Sequence, residues 1–185
     1  CEELARVGEA LSTMRAPVAN KLALKFGQTA EALSPALGGS ALEFRRGWAG
    51  DVSLEQALRE SLDADRSQGF TRAGPHRADL RISVGGRVAA EVLSRGQLKL
   101  AVVALKVAQG GLMRELAEVP PVYLVDDLGS ELDGYHAESV CGLLAGIGSQ
   151  ILFTAVAAQE LQQFWGGDEG RLFHVEQGRV CSKAN

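Results

Sequence analysis

The sequence is short of several things that a protein can be built around. Its three cysteines, Cys1, Cys141 and Cys181, are odd in number and have no metal-like spacing. That excludes a disulfide framework or a zinc module, and they read as reduced thiols. No apolar run approaches the ~20 residues of a membrane helix; the stretch 100–107 is interrupted by Lys106. No secretory signal is present either, so the chain reads as soluble and cytoplasmic with no membrane partner. Basic charge is not in excess: 19 Lys and Arg against 23 Asp and Glu give a formal net charge of -4. Composition therefore does not announce a nucleic-acid binder, and any DNA-binding surface has to be a local patch. His136 and His174 lack partner ligands at metal spacing, and Trp48 and Trp165 read as packing or surface aromatics.

What is present is globular in kind. With 46% apolar and 23% charged residues in 185, the chain can bury a core as one large domain or two small ones. Leu4, Val7, Leu11, Met14 and Val18 alternate at spacings of three and four, one apolar stripe along a helix that suits a bundle or a short coiled coil. Pro17 is expected to divide this stretch into two helical segments, the second carrying Leu22, Phe26, Ala30 and Leu33. A short strand over 41–46 follows, then a helix over 53–62 with Ser53 as N-cap. Leu80, Ile82 and Val84 predict one strand of a hairpin, Gly85-Gly86 its turn and 88–92 its second strand. A long helix is expected over 97–116, ended by Pro120-Pro121. The apolar run 122–125 predicts a strand buried on both faces of a parallel sheet. A helix over 134–144 and a strand over 150–154 complete a βαβ unit, whose ligands belong at the carboxyl ends of the strands. Residues 172–180 read as a closing hairpin.

Asp126 and Asp127 stand at the end of a strand, where desolvation and mutual repulsion oppose two adjacent carboxylates unless a cation meets them. In a phosphoryl-transfer site the first would hold the Mg²⁺ shell and the second would orient or deprotonate an attacking water. The same pair would also serve as an acidic turn capping the next helix. Ser130-Glu131-Leu132-Asp133 adds a second acidic cluster, which also reads as the N-cap of the helix from Gly134. Ser94-Arg95-Gly96-Gln97 opens the long helix, so its free N–H groups and the helix dipole can meet an anion, or simply form a capped helix start. His76 and Arg77 suit a phosphate or DNA contact, or the stabilisation of a Gly-Pro turn.

Taken in order, Leu-Ser-Arg-Gly-Gln, a long helix, an apolar strand, Asp-Asp and Ser-Glu-Leu-Asp resemble the signature motif, Walker B and D-loop of ABC/SMC-type ATPases. Gly74-Pro75-His76-Arg77-Ala78-Asp79-Leu80, the stretch 122–133 and the closing hairpin narrow the resemblance to the RecF-type branch. It is close over about 69–180, looser over 42–62, and covers the first forty residues only as a helical arm. The fold it implies is α/β: an ABC-type ATPase lobe, a P-loop NTPase-like sheet with flanking helices, plus part of a helical arm. Residues 1–68 would form the arm and connection, and 69–185 the C-terminal part of the lobe.

By the same resemblance Asp126 is the Mg²⁺-associated acid and Asp127 takes the catalytic-acid position usually held by glutamate, which fits slow hydrolysis. Ser94, Arg95, Gly96 and Gln97 would meet the γ-phosphate of ATP across a homodimer, and Asp133 belongs to the dimer-facing D-loop. In Phe153-Thr154-Ala155, where many ABC ATPases place a switch histidine after the threonine, Thr154 is left as the only polar candidate. The implied activity is that of a DNA-binding ATPase of recombinational repair and replication-fork maintenance. Double-stranded and gapped DNA and the mediators RecO and RecR are the implied partners. Another SMC-like ATPase of chromosome maintenance, and a Mg²⁺-dependent nuclease using the acidic cluster, are the alternatives. No Gly-x-x-x-x-Gly-Lys-Ser/Thr loop occurs in the sequence, so the phosphates have no cradle within it. A chain that opens inside the arm is expected to be a piece of a longer protein, inactive in hydrolysis alone.

Overall fold

The computed structural model describes residues 2–117, 120–157, 159, 164, 165 and 170–182. The chain forms two compact units, Cys1–Leu116 and Ala117–Asn185.

The first unit begins with helix α1 (Glu2–Leu33), which runs unbroken through Pro17. This differs from the two segments expected. Pro17 lacks an N–H and its ring crowds the carbonyl four residues back, a cost of ~3 kcal/mol inside a helix. Buried residues on both sides of it, Ala5, Gly8 and Ser12 before and Ala19, Leu22, Phe26, Ala30 and Leu33 after, keep the helix in one piece. Phe26, Ala30 and Leu33 are fully buried, and fully burying a large apolar side chain stabilises by roughly 1.5–3 kcal/mol. The buried face in the first half is therefore not the stripe at Leu4, Val7, Met14 and Val18, which remain 48–73% exposed.

Strand β1 (Ser40–Arg45) lies against α1 and pairs antiparallel with β2 (Asp79–Val84), Leu42 opposite Ile82 and Phe44 opposite Leu80. Between them, α2 (Leu54–Gln68) begins where the Ser53 side chain accepts the Gln56 N–H and ends at Gly69 in a left-handed conformation. Its Leu54 and Leu58 pack with Ala5 of α1, Trp48 and Ala73. The helices approach closely because Gly8 has no side chain: a Cβ there would lie 2.5 Å from Leu54 Cδ2. Glu9 adds a carboxylate that accepts the Leu54 N–H at 2.7 Å.

The expected hairpin after β2 is shorter than its pattern. Strand β3 is only Arg87–Val88, and Ala89–Val92 turns into helix α3. Two alanines and a glutamate favour helix over strand, and buried Ala89 anchors the turn. Helix α4 (Arg95–Ala117) then buries Leu100, Ala101, Ala104, Val107, Ala108 and Leu112. Near its end Glu115 meets Lys25 of α1 at 2.5 Å.

In the second unit β4 (Val122–Val125) and β5 (Gln150–Phe153) pair in parallel, joined through α5 (Leu128–Glu131) and α6 (Gly134–Ile147). This is the βαβ order expected. The strands are not buried on both faces, however: Val122, Leu124 and Leu152 are 57%, 79% and 49% exposed. Successive strand side chains face opposite sides, and only the side bearing Tyr123, Val125, Ile151 and Phe153 is half-buried. Phe153 shares a small apolar cavity with Leu128, Cys141, Phe164 and Trp165. The last hairpin, β6 (Phe173–Glu176) with β7 (Arg179–Ser182), places Val175 opposite Val180. Its turn residues Gln177 and Gly178 both have positive φ, 48° and 76°, as a two-residue turn matching strand twist requires.

Among the described residues no helix is long and apolar enough to cross a membrane. Cys141 is a buried free thiol, its pKa pushed up by that burial, and Cys181 is an exposed one; Cys1 lies outside the described residues.

Candidate functional site

The parallel ladder continues one step past its strands. The Thr154 N–H donates to the Val125 carbonyl at 2.9 Å, and the Asp127 N–H donates to the Thr154 carbonyl at 3.2 Å. This places Thr154, the first residue after β5, beside both aspartates that follow β4. Its hydroxyl donates to Asp126 Oδ1 and accepts the Asp127 N–H at 3.1 Å. One hydroxyl therefore fixes the Asp126 carboxylate and the Asp127 backbone at the carboxyl ends of two adjacent strands. Its proton is directed at Asp126.

Asp127 sits in the left-handed region, φ 46° and ψ 51°, which Asp and Asn tolerate better than most side chains. Ser130 meets it from the other side: its Oγ lies 2.7 Å from Asp127 Oδ2 and 3.0 Å from the Asp127 carbonyl. Asp133 does not join this group. It caps α6, where Oδ1 accepts the His136 N–H at 3.0 Å and Oδ2 lies 2.7 Å from His136 Nδ1.

The backbone N–H of His136, then its side chain, hold the exposed Asp133 carboxyl below its usual range. A carboxyl depressed in the folded state contributes stability above its unfolded pKa that is lost as pH falls through the folded value. The first turn of α6 is therefore expected to loosen as the pH falls through and below the ordinary carboxylate range. Hydrogen exchange at the His136 amide measures this, after correction for the intrinsic pH dependence of exchange. Equal protection across that range would contradict the cap.

Ser94, Arg95, Gly96 and Gln97 belong to the first unit, at the start of α4. The Ser94 N–H donates to Gln97 Oε1 at 2.8 Å and the Gln97 N–H to Ser94 Oγ at 3.3 Å. This is a reciprocal capping box. Ser94, Arg95 and Gly96 are exposed, and the N–H groups of Arg95 and Gly96 are among the donors a helix start cannot satisfy internally. His76 and Arg77 occupy a 3₁₀ turn, Pro75–Arg77, and are both engaged locally: His76 Nε2 lies 2.9 Å from the Thr71 carbonyl and Arg77 lies over the Phe70 ring. Arg15 of α1 donates to the Pro75 carbonyl at 2.9 Å.

Among the described residues no three His, Cys, Asp or Glu side chains gather to hold a metal. Mg²⁺ does not need such a cage, because it is held through one or two carboxylates together with substrate phosphates and water. An exposed Asp126 oriented by a hydroxyl fits that mode. Two side-chain contacts escaped sequence reasoning: the Ser130 hydroxyl on Asp127, and the His136 ring on Asp133. The only sequence signal for either is a polar side chain three residues downstream of an aspartate, which is common in any turn.

No protein-family model matches the chain. It is 48% identical over 145 residues to the DNA replication and repair protein RecF of Stutzerimonas stutzeri, covering 78% of this chain and 39% of that protein. Against the RecF protein of Chromohalobacter salexigens the identity is 42% over 183 residues, covering 98% of this chain and 50% of the other.

The chain belongs to the RecF family.

It spans half or less of the length of these RecF relatives. The fold agrees: two structures of the recombination mediator protein RecF, described as RecF-ATPrS and RecF-ATP in the RecFOR pathway, superpose with TM-scores of 0.75 and 0.73 at 23% and 24% identity. Each match covers 99% of this chain and 49% of the solved one. A structure from work on ATP-driven dimerisation of SMC ATPases matches with a TM-score of 0.54 at 16% identity, covering 94% of this chain and 89% of that one. The architecture is thus α/β of the RecF and SMC-head kind.

Proposed function

We propose that this chain carries the signature, Walker B and D-loop part of a cytoplasmic, DNA-binding ATPase of recombinational repair. The observation that carries this reading is the Asp126–Thr154–Asp127 arrangement at the ends of two parallel strands. Asp126 is the residue to associate with Mg²⁺, which when bound would neutralise charge on the β- and γ-phosphates. Asp127 orients the attacking water and accepts its proton as the new O–P bond forms and the bond to the ADP leaving group breaks. Its reach is one methylene shorter than that of the glutamate usual in ABC-type ATPases, which fits slow turnover. The phosphate cradle and its lysine are not in this sequence, so hydrolysis belongs to the longer protein.

The start of α4 supplies the second half of a composite site. The N–H groups of the exposed residues Arg95 and Gly96, at the positive end of a 23-residue helix, suit the γ-phosphate held by a partner subunit. Nucleotide would then drive homodimerisation, and hydrolysis would reset it, with RecO and RecR acting beside it in loading the recombinase at gaps. For DNA, the charge distribution supports the first unit. Residues 1–116 hold 16 Lys and Arg against 13 acids, and 117–185 hold 3 against 10.

The test is ATP-dependent dimerisation of the RecF-length protein by analytical ultracentrifugation, wild type against Ser94→Arg. ATP is expected to dimerise the wild type alone. Equal behaviour of the two would reduce Ser94 to a helix cap and remove the composite site.

A further inference from the structure

Asp127 is gripped from both sides, and the two grips differ in kind. Upstream, its N–H donates to the carbonyl and hydroxyl oxygens of Thr154, at 3.2 and 3.1 Å. That bond sets the backbone and does not touch the carboxylate. Downstream, the Ser130 N–H reaches the Asp127 carbonyl at 3.2 Å, and the Ser130 hydroxyl lies within bonding distance of that carbonyl, 3.0 Å, and of the carboxylate oxygen Oδ2, 2.7 Å. A serine hydroxyl has one proton to give. The shorter contact, to an ionised acceptor, is the stronger one, and the carbonyl is already served by the backbone N–H.

We infer that Ser130 is a positioning residue for the Asp127 carboxylate. Its hydroxyl holds Oδ2, which fixes the rotation of the carboxylate and leaves Oδ1 to face the water. Left-handed backbone turns the side chain of Asp127 away from the direction a strand residue would give it, so backbone geometry alone does not aim the carboxylate. Ser130 does, by closing a short ring over α5. This rests on the reading of Asp127 as the group that orients the water, and it adds to that reading a residue from the Ser-Glu-Leu-Asp segment. Asp133, the last member of that segment at the start of α6, is committed to His136.

The experiment compares Ser130→Ala, Ser130→Thr and Asp127→Asn in the RecF-length protein. It measures ATPase turnover, affinity for a fluorescent ATP analogue, ATP-dependent dimerisation and the thermal midpoint. Ser130 is exposed, so alanine there disturbs no packing. Ser130→Ala is expected to lower kcat by about 10-fold or more, the scale of a misaimed catalytic group, with analogue affinity and dimerisation within about 2-fold of wild type. Ser130→Thr, which keeps the hydroxyl, is expected to restore turnover. Combining Ser130→Ala with Asp127→Asn is expected to add nothing to Asp127→Asn, since groups that act as a unit are not additive. Wild-type kcat in Ser130→Ala, together with loss of turnover in Asp127→Asn, overturns the role of Ser130 and leaves that of Asp127 standing. Undiminished turnover in Asp127→Asn overturns both. A parallel fall of midpoint, affinity and kcat in Ser130→Ala, unrelieved by threonine, makes Ser130 a turn residue only and overturns the inference.

Discussion

Gly47→Ala is expected to destabilise the first unit by roughly 3–5 kcal/mol, adding the overpacking cost to the left-handed penalty. Gly47 has φ 97°, and a Cβ there would lie 2.2 Å from the Gly74 carbonyl oxygen, 2.8 Å from the Ala78 nitrogen and 2.9 Å from the Arg77 carbonyl carbon. All three are backbone atoms, so no side-chain rotation relieves the clash. The same position accepts a backbone hydrogen bond, Gly74 N–H to the Gly47 carbonyl at 3.1 Å, so the loop after β1 and the Gly-Pro-His-Arg turn must separate together. Domains of this size have about 5–15 kcal/mol in all. A thermal or urea melt of this chain is the measurement, and a fall of more than about 10 °C in midpoint is expected. A midpoint within a few degrees of wild type would mean that the two loops are not in contact.

Asp127→Asn is expected to abolish turnover in the RecF-length protein, at least about 10²-fold in kcat, as loss of a general base or water-orienting carboxylate does. Asparagine is the informative replacement. It tolerates the left-handed backbone as aspartate does, and its amide oxygen still accepts from Ser130, so the fold is kept while the negative charge is lost. If hydrolysis times release from DNA, the same variant binds DNA more tightly in the presence of ATP. Fluorescence anisotropy on double-stranded and gapped DNA decides this. Unchanged DNA affinity with turnover lost would separate the ATP cycle from DNA release, and unchanged turnover would remove Asp127 from the chemistry.

Much of the fold is legible in the sequence because local chemistry and tertiary packing agree there. Ser53 and Asp133 cap the helices that follow them, and Gly178 takes the positive φ that the closing turn asks of it. Where the two disagree, the pattern misleads. Pro17 argues for a break that the packing of Ala19, Leu22 and Phe26 overrides. The stripe from Leu4 to Val18 keeps regular helical spacing, yet small residues, Ala5, Gly8 and Ser12, are what α1 buries at that end. Close approach to α2 selects Ala5 and Gly8, and a hydrophobicity pattern does not register close approach. In the candidate site the aspartates are legible as a pair, but their geometry is not. The Asp126 contact to Thr154 spans 28 residues and depends on the register of two parallel strands. The left-handed turn at Asp127 appears only once those strands are paired.

The exposed side of β4 and β5 has a practical meaning for anyone handling this chain by itself. Val122, Leu124 and Leu152 form an uncovered apolar surface on a sheet that, among the described residues, has two strands and hence two open edges. Open edges invite the addition of further strands, and the greasy face rewards stacking. Preparations of the isolated chain are accordingly expected to self-associate, increasingly so as protein concentration or salt rises. A charged substitution at Leu124, the most exposed of the three, is the natural first remedy.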